Sequence, residues 1–248
     1  MRWVLVVLSV IVLLAVGPLV MAVDRGLQLD ARWYDAGRES AGLAPDPAAH
    51  EAALVQVYAA RAFGWRGILG AHTWIAVKAR GAGSYRLLQV TRWSGGVSFS
   101  DTSLPDRAWF GNEPVVLAQL RGEEAGVAIA AIEEAAGHYP WPNEYRIWPG
   151  PNSNTFVAWM LRRVPTLDAE LPPTAIGKDY LGSGWYAKTP SNTGYQVSLG
   201  GLLGVTVARD EGLELNLLGA VLGIDPEELA IKLPAVGRVG FGGTQPAG

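Results

Sequence analysis

The chain has 248 residues, with 20 basic and 23 acidic side chains and a net charge of -3. No block of basic residues stands out, and this argues against nucleic acid as a partner. The absence of Cys excludes disulfides, thiolate metal sites and a cysteine nucleophile, and the three histidines are scattered at positions 50, 72 and 138. The sequence therefore implies no metal and no cofactor.

Residues 3–23 form a continuous apolar segment between Arg2 and the pair Asp24-Arg25. A membrane-spanning helix needs about 20 such residues, and a basic residue before it favours a cytoplasmic N-terminus. The pattern Val20-Met21-Ala22 also resembles a cleavage site, so a cleaved signal peptide is the alternative. Because the run is longer than a usual signal core, we expect a single-pass anchor in the inner (cytoplasmic) membrane, with the main domain outside the cytoplasm.

A polar juxtamembrane segment, 24–50, leads into an α+β domain predicted over 51–193. Its first apolar segment, 54–60, suits either a strand or a short helix. Alternating apolar residues then predict a hairpin of two strands over 71–79 and 85–93. A loop over 94–114 and a third strand over 115–120 follow. Acidic residues in the first turn predict a helix from 122 to about 136.

Residues 194–248 are rich in Gly and Leu and carry few charges, which predicts a β extension packed on the same domain, with a hairpin over 197–217. The predicted fold is therefore α+β: an N-terminal transmembrane helix, an antiparallel sheet with packed helices, and a C-terminal β region.

The segment Trp148-Pro149-Gly150-Pro151-Asn152-Ser153-Asn154-Thr155-Phe156 is the most informative of the chain. Two prolines and a glycine force an irregular loop, and the four polar residues after them are of the helix-capping type. An apolar helical segment follows and is stopped by Pro165. Ser153 is thus predicted at or next to a helix N-terminus, where unpaired N–H groups and the helix dipole favour negative charge.

His72 lies in the second predicted strand, on the face opposite Ile75 and Val77. A strand histidine facing a serine at a helix start is a nucleophile–base arrangement, with Ser153 as nucleophile and His72 as general base. Either Gln89 or Thr91, on the next strand, is in sequence position to orient the imidazole. Taken separately, however, a structural histidine and a capping serine are the simpler interpretations.

Other residues are candidates for an oxyanion site or a ligand site. Backbone N–H groups of the helix start, with Asn152 or Asn154, would stabilise an oxyanion. Core packing or ion pairing is the competing interpretation of the ligand candidates, which are Trp74, Arg146, Trp148, Lys178 and Tyr180.

Several motifs in order, among them His72 to Lys78, Trp148 to Phe156, 171–180 and 214–219, resemble the bacterial domain-of-unknown-function family 3750, from about residue 30 to residue 240. That family carries no established activity. A looser resemblance is to circularly permuted NlpC-type papain-like enzymes, including lecithin retinol acyltransferase-like proteins. There a strand His precedes an Asn-Cys pair at a helix start, and His72 and Asn152-Ser153 occupy those positions, with Ser in place of Cys.

These observations support three functional hypotheses. The first is a papain-like hydrolase or acyltransferase acting on cell-envelope material, with a peptide, lipid or acyl group as substrate. The second is a non-catalytic protein that binds an envelope ligand, in which Ser153 only caps its helix. The third is a membrane-assembly protein whose apolar C-terminal region contacts lipid or another membrane protein.

Overall fold

The computed structural model describes residue 12, residues 14–23, residue 27 and residues 32–241. It is an α+β fold with two antiparallel sheets, as the sequence predicts. The first sheet has five strands in the order β4-β3-β2-β1-β5. They are β1 (Leu54–Arg61), β2 (Ala71–Lys78), β3 (Tyr85–Thr91), β4 (Gly96–Thr102) and β5 (Val115–Arg121).

Two helices, α1 (Gly122–Gly137) and α2 (Ser153–Arg163), pack on one face of the first sheet. Strand alternation turns Val57, Ile75 and Leu88 towards them, and these residues join Phe156 and Leu161 of α2 in the main hydrophobic core. Two short 3-10 helices, Gly64–Ile68 and Pro165–Leu167, complete the helical part of this region.

The opposite face of the first sheet carries a smaller core. It contains Tyr58, Trp74 and Tyr85, and Trp109 from the segment between β4 and β5 packs over it. The Nε1–H of Trp74 donates to the carbonyl of Pro105 at 2.9 Å and fixes that segment to the sheet. The first sheet is therefore covered on both faces, by helices on one and by loop on the other.

The second sheet is a meander in which every strand pairs antiparallel with its neighbours in sequence. Its seven strands are β6 (Tyr186–Lys188), β7 (Gly194–Leu199), β8 (Leu203–Ala208), β9 (Leu213–Leu217), β10 (Ala220–Asp225), β11 (Ala230–Leu233) and β12 (Gly237–Gly240). The C-terminal β region of the prediction is thus present, and it begins a few residues before the predicted boundary at 194.

Several local predictions can be compared directly with these elements. The β2–β3 hairpin, β5 and both helices are confirmed. The ambiguous segment 54–60 is a strand, at the centre of the five-stranded sheet. The prediction of a loop over 94–114 is wrong in part, because Gly96–Thr102 pairs along the full length of β3.

Part of the predicted membrane anchor, residues 3–11 and residue 13, lies outside the described residues. Residues 14–22 are helical, and Gly17 lies against the carbonyl oxygen of Pro234 in the loop between β11 and β12. The buried Arg61 links the helical residues 14–22 to the loop between β11 and β12, since its guanidinium contacts Met21 Sδ and donates to the carbonyl of Val236. In the described part of the chain no helix is both long enough and apolar enough to span a bilayer.

Candidate functional site

The start of α2 is capped by Asn152, and Ser153 is the first residue of the helix. The Asn152 side-chain oxygen accepts from the backbone N–H groups of Asn154, at 2.9 Å, and Thr155, at 3.2 Å. Thr155 Oγ1 in turn accepts from the N–H of Asn152, which completes a capping box. The capping role considered for Ser153 therefore belongs to its neighbour.

The two asparagine amides predicted for an oxyanion site are occupied by structural hydrogen bonds. The Asn152 amide donates to the carbonyls of Ile147 and Ile176. The Asn154 amide donates to the carbonyls of Ala71 and Ile176, at 3.0 and 2.8 Å. In the described chain the backbone N–H of Ser153 donates to no acceptor. This N–H is consequently the donor of the helix start that can face an incoming anion.

His72 is held by Gln89, the predicted orienting residue, with 3.1 Å between Nε2 and Oε1. An amide oxygen only accepts, so the proton is on Nε2 and the lone pair is on Nδ1. Burial lowers the pKa of His72 to about 4, and the Gln89 hydrogen bond counters only part of that effect. The imidazole is therefore neutral near pH 7 in this state.

The candidate nucleophile and base lie on neighbouring elements, because α2 is attached to β2 on either side of His72. Asn154 donates to the carbonyl of Ala71 at 3.0 Å, and Thr73 Oγ1 donates to the carbonyl of Ser153 at 3.3 Å. Alternation along β2 nevertheless turns Thr73 towards α2 and the His72 ring towards the other face. In the described chain no hydrogen bond joins the His72 ring to the Ser153 hydroxyl.

The His72 ring belongs to a stack of aromatic rings that runs from the surface to the interior. It lies 3.7 Å from the Trp109 ring centroid, with 16° between the planes. Trp93, 68% exposed, stacks on the outer side of Trp109, while Trp74 and Tyr58 continue the stack inwards. Trp109 thus covers His72, and both His72 and Ser153 are less than a tenth exposed.

The five predicted ligand-binding residues lie in separate places. Trp74 is buried under the first sheet. Arg146 and Trp148 are exposed on the loop before α2, where Arg146 approaches Glu144 at 3.8 Å and Trp148 donates to the carbonyl of Leu218. Tyr180 packs edge-on against Trp141. Lys178 is buried in an ion pair, so a ligand cannot reach its ammonium group without opening the fold.

That ion pair is part of a buried network, which we call the charge cluster. The network joins the second sheet to the part of the chain before it, residues 52–180, which we call the first domain. Glu214 accepts from Lys178 at 2.7 Å and from Lys232 at 2.8 Å. Lys232 also contacts Glu170, at 2.5 Å, and Arg238 pairs with Glu170 and Asp225. Burial acts to raise the pKa of Glu214, but the two lysines outweigh it and hold that pKa below its usual value.

No sequence motif pointed to a role in an ion pair for Glu170, Glu214 or Lys232. The available signal was a charged residue alternating with Leu and Ile on the strand segments that contain Glu214 and Lys232. In the described residues no group of three His, Asp or Glu side chains could hold a metal ion.

This arrangement defines an α+β protein in which a His–Gln pair on neighbouring strands lies on one face of the first sheet and a capped helix start lies on the other. The chain matches the family described as "Protein of unknown function (DUF3750)" over residues 52–180, and it belongs to that family. The matched range contains His72, Gln89 and Ser153 but ends before the second sheet, so it is shorter than the predicted 30–240. No curated protein and no solved structure matches the chain.

The capping assignment predicts unequal stability losses at neighbouring positions. Asn152→Ala removes two capping hydrogen bonds and the two that its amide donates, and it is expected to lower the free energy of unfolding by about 2–4 kcal/mol. Ser153→Ala removes no hydrogen bond made by the hydroxyl in the described chain, and we expect a loss of about 0.5 kcal/mol or less. Urea denaturation of the two variants measures the difference, and a larger loss for Ser153→Ala would contradict it.

Proposed function

We propose that this protein is a serine-dependent hydrolase or acyltransferase with a papain-like arrangement, acting on cell-envelope material. Ser153 is the nucleophile, His72 the general base and Gln89 the residue that orients the imidazole. The hydrogen bond between His72 Nε2 and Gln89 Oε1 carries the proposal. It leaves Nδ1 unprotonated, as a base that removes a hydroxyl proton requires.

The helix start supports the same chemistry. Ser153 is the first residue of an 11-residue helix, where the dipole stabilises developing negative charge. Its own backbone N–H has no acceptor in the described chain and can donate to an oxyanion. The Asn152 and Asn154 amides, in contrast, hold the helix start in place rather than face the substrate.

In the proposed reaction, Ser153 Oγ attacks the carbonyl carbon of an ester or amide while His72 Nδ1 takes the hydroxyl proton. The bond from the carbonyl carbon to the leaving group then breaks, and His72 returns the proton to the leaving group. Water releases the acyl group in a hydrolase, and an acceptor hydroxyl or amine releases it in a transferase. At rest the His72 ring points to the face of the first sheet away from α2. The approach of the hydroxyl to Nδ1 therefore requires the ring to turn round the start of β2, where His72 is the second residue of the strand.

Trp109 must move for a substrate to reach His72, because its ring stacks directly on the imidazole. Uncovering the ring also readmits water and removes part of the desolvation that depresses its pKa. The basicity of His72 is thus expected to rise when the site opens, towards the range in which a general base is effective.

The chain contains no Cys, so Ser153→Cys introduces a single thiol whose pKa reports on His72. A thiol has a pKa of about 8.5 when unperturbed, and a helix N-terminus beside an imidazole lowers it. We expect the pH dependence of its alkylation by iodoacetamide to give a pKa below 8. A second change, His72→Gln, is expected to raise that pKa.

Ser198→Cys is the matched control, since Ser198 is also a buried serine but lies in the second sheet. Burial disfavours the thiolate and raises a thiol pKa, and we expect this thiol to be unaffected by His72→Gln. A Ser153→Cys thiol that behaves like the control would contradict the nucleophile–base pair.

The second candidate function is ligand binding without catalysis, and the exposed Trp93 stacked on Trp109 favours it. Such a surface suits a planar or sugar ligand of the envelope. In that case Trp93→Ala would abolish binding, and the Ser153→Cys thiol would show no coupling to His72.

A further inference from the structure

The second sheet is apolar on the face turned away from the first domain. We call this the outer face; its exposed large side chains come from strands β7 to β12. They are Tyr195, Val197, Leu199, Leu203, Val205, Val207, Leu213, Leu215, Ile224, Ile231 and Val239. Strand pairing places them side by side, as in the directly opposed residues Val197, Val205 and Leu215, so they form one continuous surface.

The inner face of the same sheet is polar and buried. Its members alternate with the outer residues along each strand and include Gln196, Thr206, Glu214, Lys232 and Arg238. Because the charge cluster ties this face to the first domain, the sheet cannot turn over to bury its apolar side. A slip of one residue in register would place every charge outside and break the cluster. The exposure of the outer face is therefore built into the fold.

The outer face is comparable in area to the largest apolar patches that soluble monomers expose, and such patches are often functional. Seven strands at about 4.8 Å spacing and about 17 Å in length span roughly 500 Å², which lies in the upper range for the largest apolar patch of a soluble monomer and marks an interaction site. Among the outward positions of these strands, all of which the structure describes, Lys188 is the one charged residue.

The edge of the outer face has the composition of a membrane interface. Lys188 lies on the edge strand β6, and Tyr186 on the same strand stacks on Tyr195 with 5.3 Å between ring centroids. Trp185 is exposed next to them. Aromatic rings with a polar end and lysines with a long apolar stem concentrate at the level of lipid headgroups.

The other edge of the sheet contacts the apolar N-terminal segment. Gly17 lies against Pro234 in the loop between β11 and β12, and Leu19 and Val20 of the same helical stretch are exposed. The sequence from residue 3 to residue 23 is predominantly apolar and contains no charged residue. Two apolar surfaces therefore meet at the edge of the sheet, and a single partner, a bilayer, accounts for both.

We infer that the outer face lies on a lipid bilayer, with its aliphatic side chains among the acyl chains and its aromatic edge at the headgroups. The absence of acidic residues from the outward strand positions fits an anionic membrane surface, which would repel them. This inference does not depend on the chemistry of Ser153, and either can fail without the other.

Spin labels in the full chain test it, because the absence of Cys allows one label at a time. Val205→Cys and Leu215→Cys place the label at the centre of the outer face, and Val127→Cys, on the exposed side of α1, is the control. The labelled chains are reconstituted into vesicles of phosphatidylethanolamine and phosphatidylglycerol. Binding to vesicles alone is not informative, since residues 3–23 could provide it, so the readout is the collision rate of each label with oxygen and with a water-soluble nickel chelate.

We expect the oxygen-to-nickel collision ratio at positions 205 and 215 to exceed that at position 127 several-fold. Equal ratios at the three positions would show that the outer face is in water and would overturn the inference. Spin–spin broadening at position 205 that disappears on dilution with unlabelled chain would show a second copy on this face, and would overturn it as well.

Discussion

Glu214→Gln is expected to lower the free energy of unfolding by about 3–5 kcal/mol, the usual cost of removing one partner from a buried ion pair. The Glu214 carboxylate accepts from both Lys178 and Lys232, and all three side chains are almost completely buried. The amide has no charge to balance two ammonium groups. Lys232 keeps Glu170, but Lys178 loses its one ion-pair partner in the described structure. Urea denaturation at pH 7 measures the change.

Glu133→Gln is the matched control, because it makes the same chemical change in the half-exposed pair of Glu133 with Arg86. Surface pairs contribute about 0–1 kcal/mol, so its loss should stay in that range. The combined change of Glu214→Gln with Lys178→Met is expected to cost less than the sum of the two single changes, since it removes the unpaired charge. Equal losses for Glu214→Gln and Glu133→Gln would show that the charge cluster is not a determinant of stability.

Acidification below pH 6.5 is expected to destabilise the protein through His72. Its pKa is about 4 in the folded state and 6.5 in the unfolded chain, so the unfolded state binds a proton first. The contribution of the neutral His72 to the free energy of unfolding is fully present above pH 6.5 and is lost as the pH falls towards 4. With about 1.36 kcal/mol for each unit of pKa, the total loss is about 3 kcal/mol.

The comparison with His72→Gln isolates this contribution from the carboxylates that titrate in the same range. Gln can donate to Gln89 but takes up no proton, so the variant should lose about 3 kcal/mol less than the wild type between pH 7 and pH 4. Parallel curves for His72→Gln and the wild type would mean that His72 is accessible to protons in the folded state.

The elements predicted from sequence are those whose periodicity is strong and whose buried side is aliphatic. In β2, Ile75 and Val77 alternate towards the core, and α1 and α2 have acidic residues or a capping residue at their starts. Strand β4 was missed because Gly-Val-Ser-Phe-Ser-Asp-Thr contains only two large apolar residues, Val97 and Phe99. It is an edge strand, and pairing with β3 rather than burial defines it.

The candidate site was predicted in part. The sequence placed His72, Gln89 and the helix start in order, because each depends on local strand or helix patterns. It did not distinguish Asn152 from Ser153 as the cap, since both residue types are favoured there. It also treated Lys178 as a ligand candidate, because its partner, Glu214, lies 36 residues further along the chain.

The alternation in the second sheet is visible in the sequence, but its direction is not. A pattern such as Leu213-Glu214-Leu215-Asn216-Leu217 shows two faces, and the general expectation places the leucines inside. Here they point outwards, because the polar residues of the sheet meet complementary charges of the first domain. That choice depends on residues such as Glu170, which are distant in sequence.

The strand order of the second sheet has a consequence for how the chain folds during synthesis. Each of its seven strands pairs with the strand next to it in sequence, so its closing loops are short and the entropic cost of forming them is low. Docking of the second sheet on the first domain is the step with the high free-energy cost, because it removes water from Glu214 and Lys232. Their ion pairs with Lys178 and Glu170 compensate for that loss only once the first domain has folded. Since the ribosome makes residues 52–180 first, the partners for that docking step can be ready before the meander emerges. We therefore expect the meander to form its own strand pairs soon after it emerges from the ribosome and to dock afterwards. The folded first domain then acts as the template that sets the orientation of the meander.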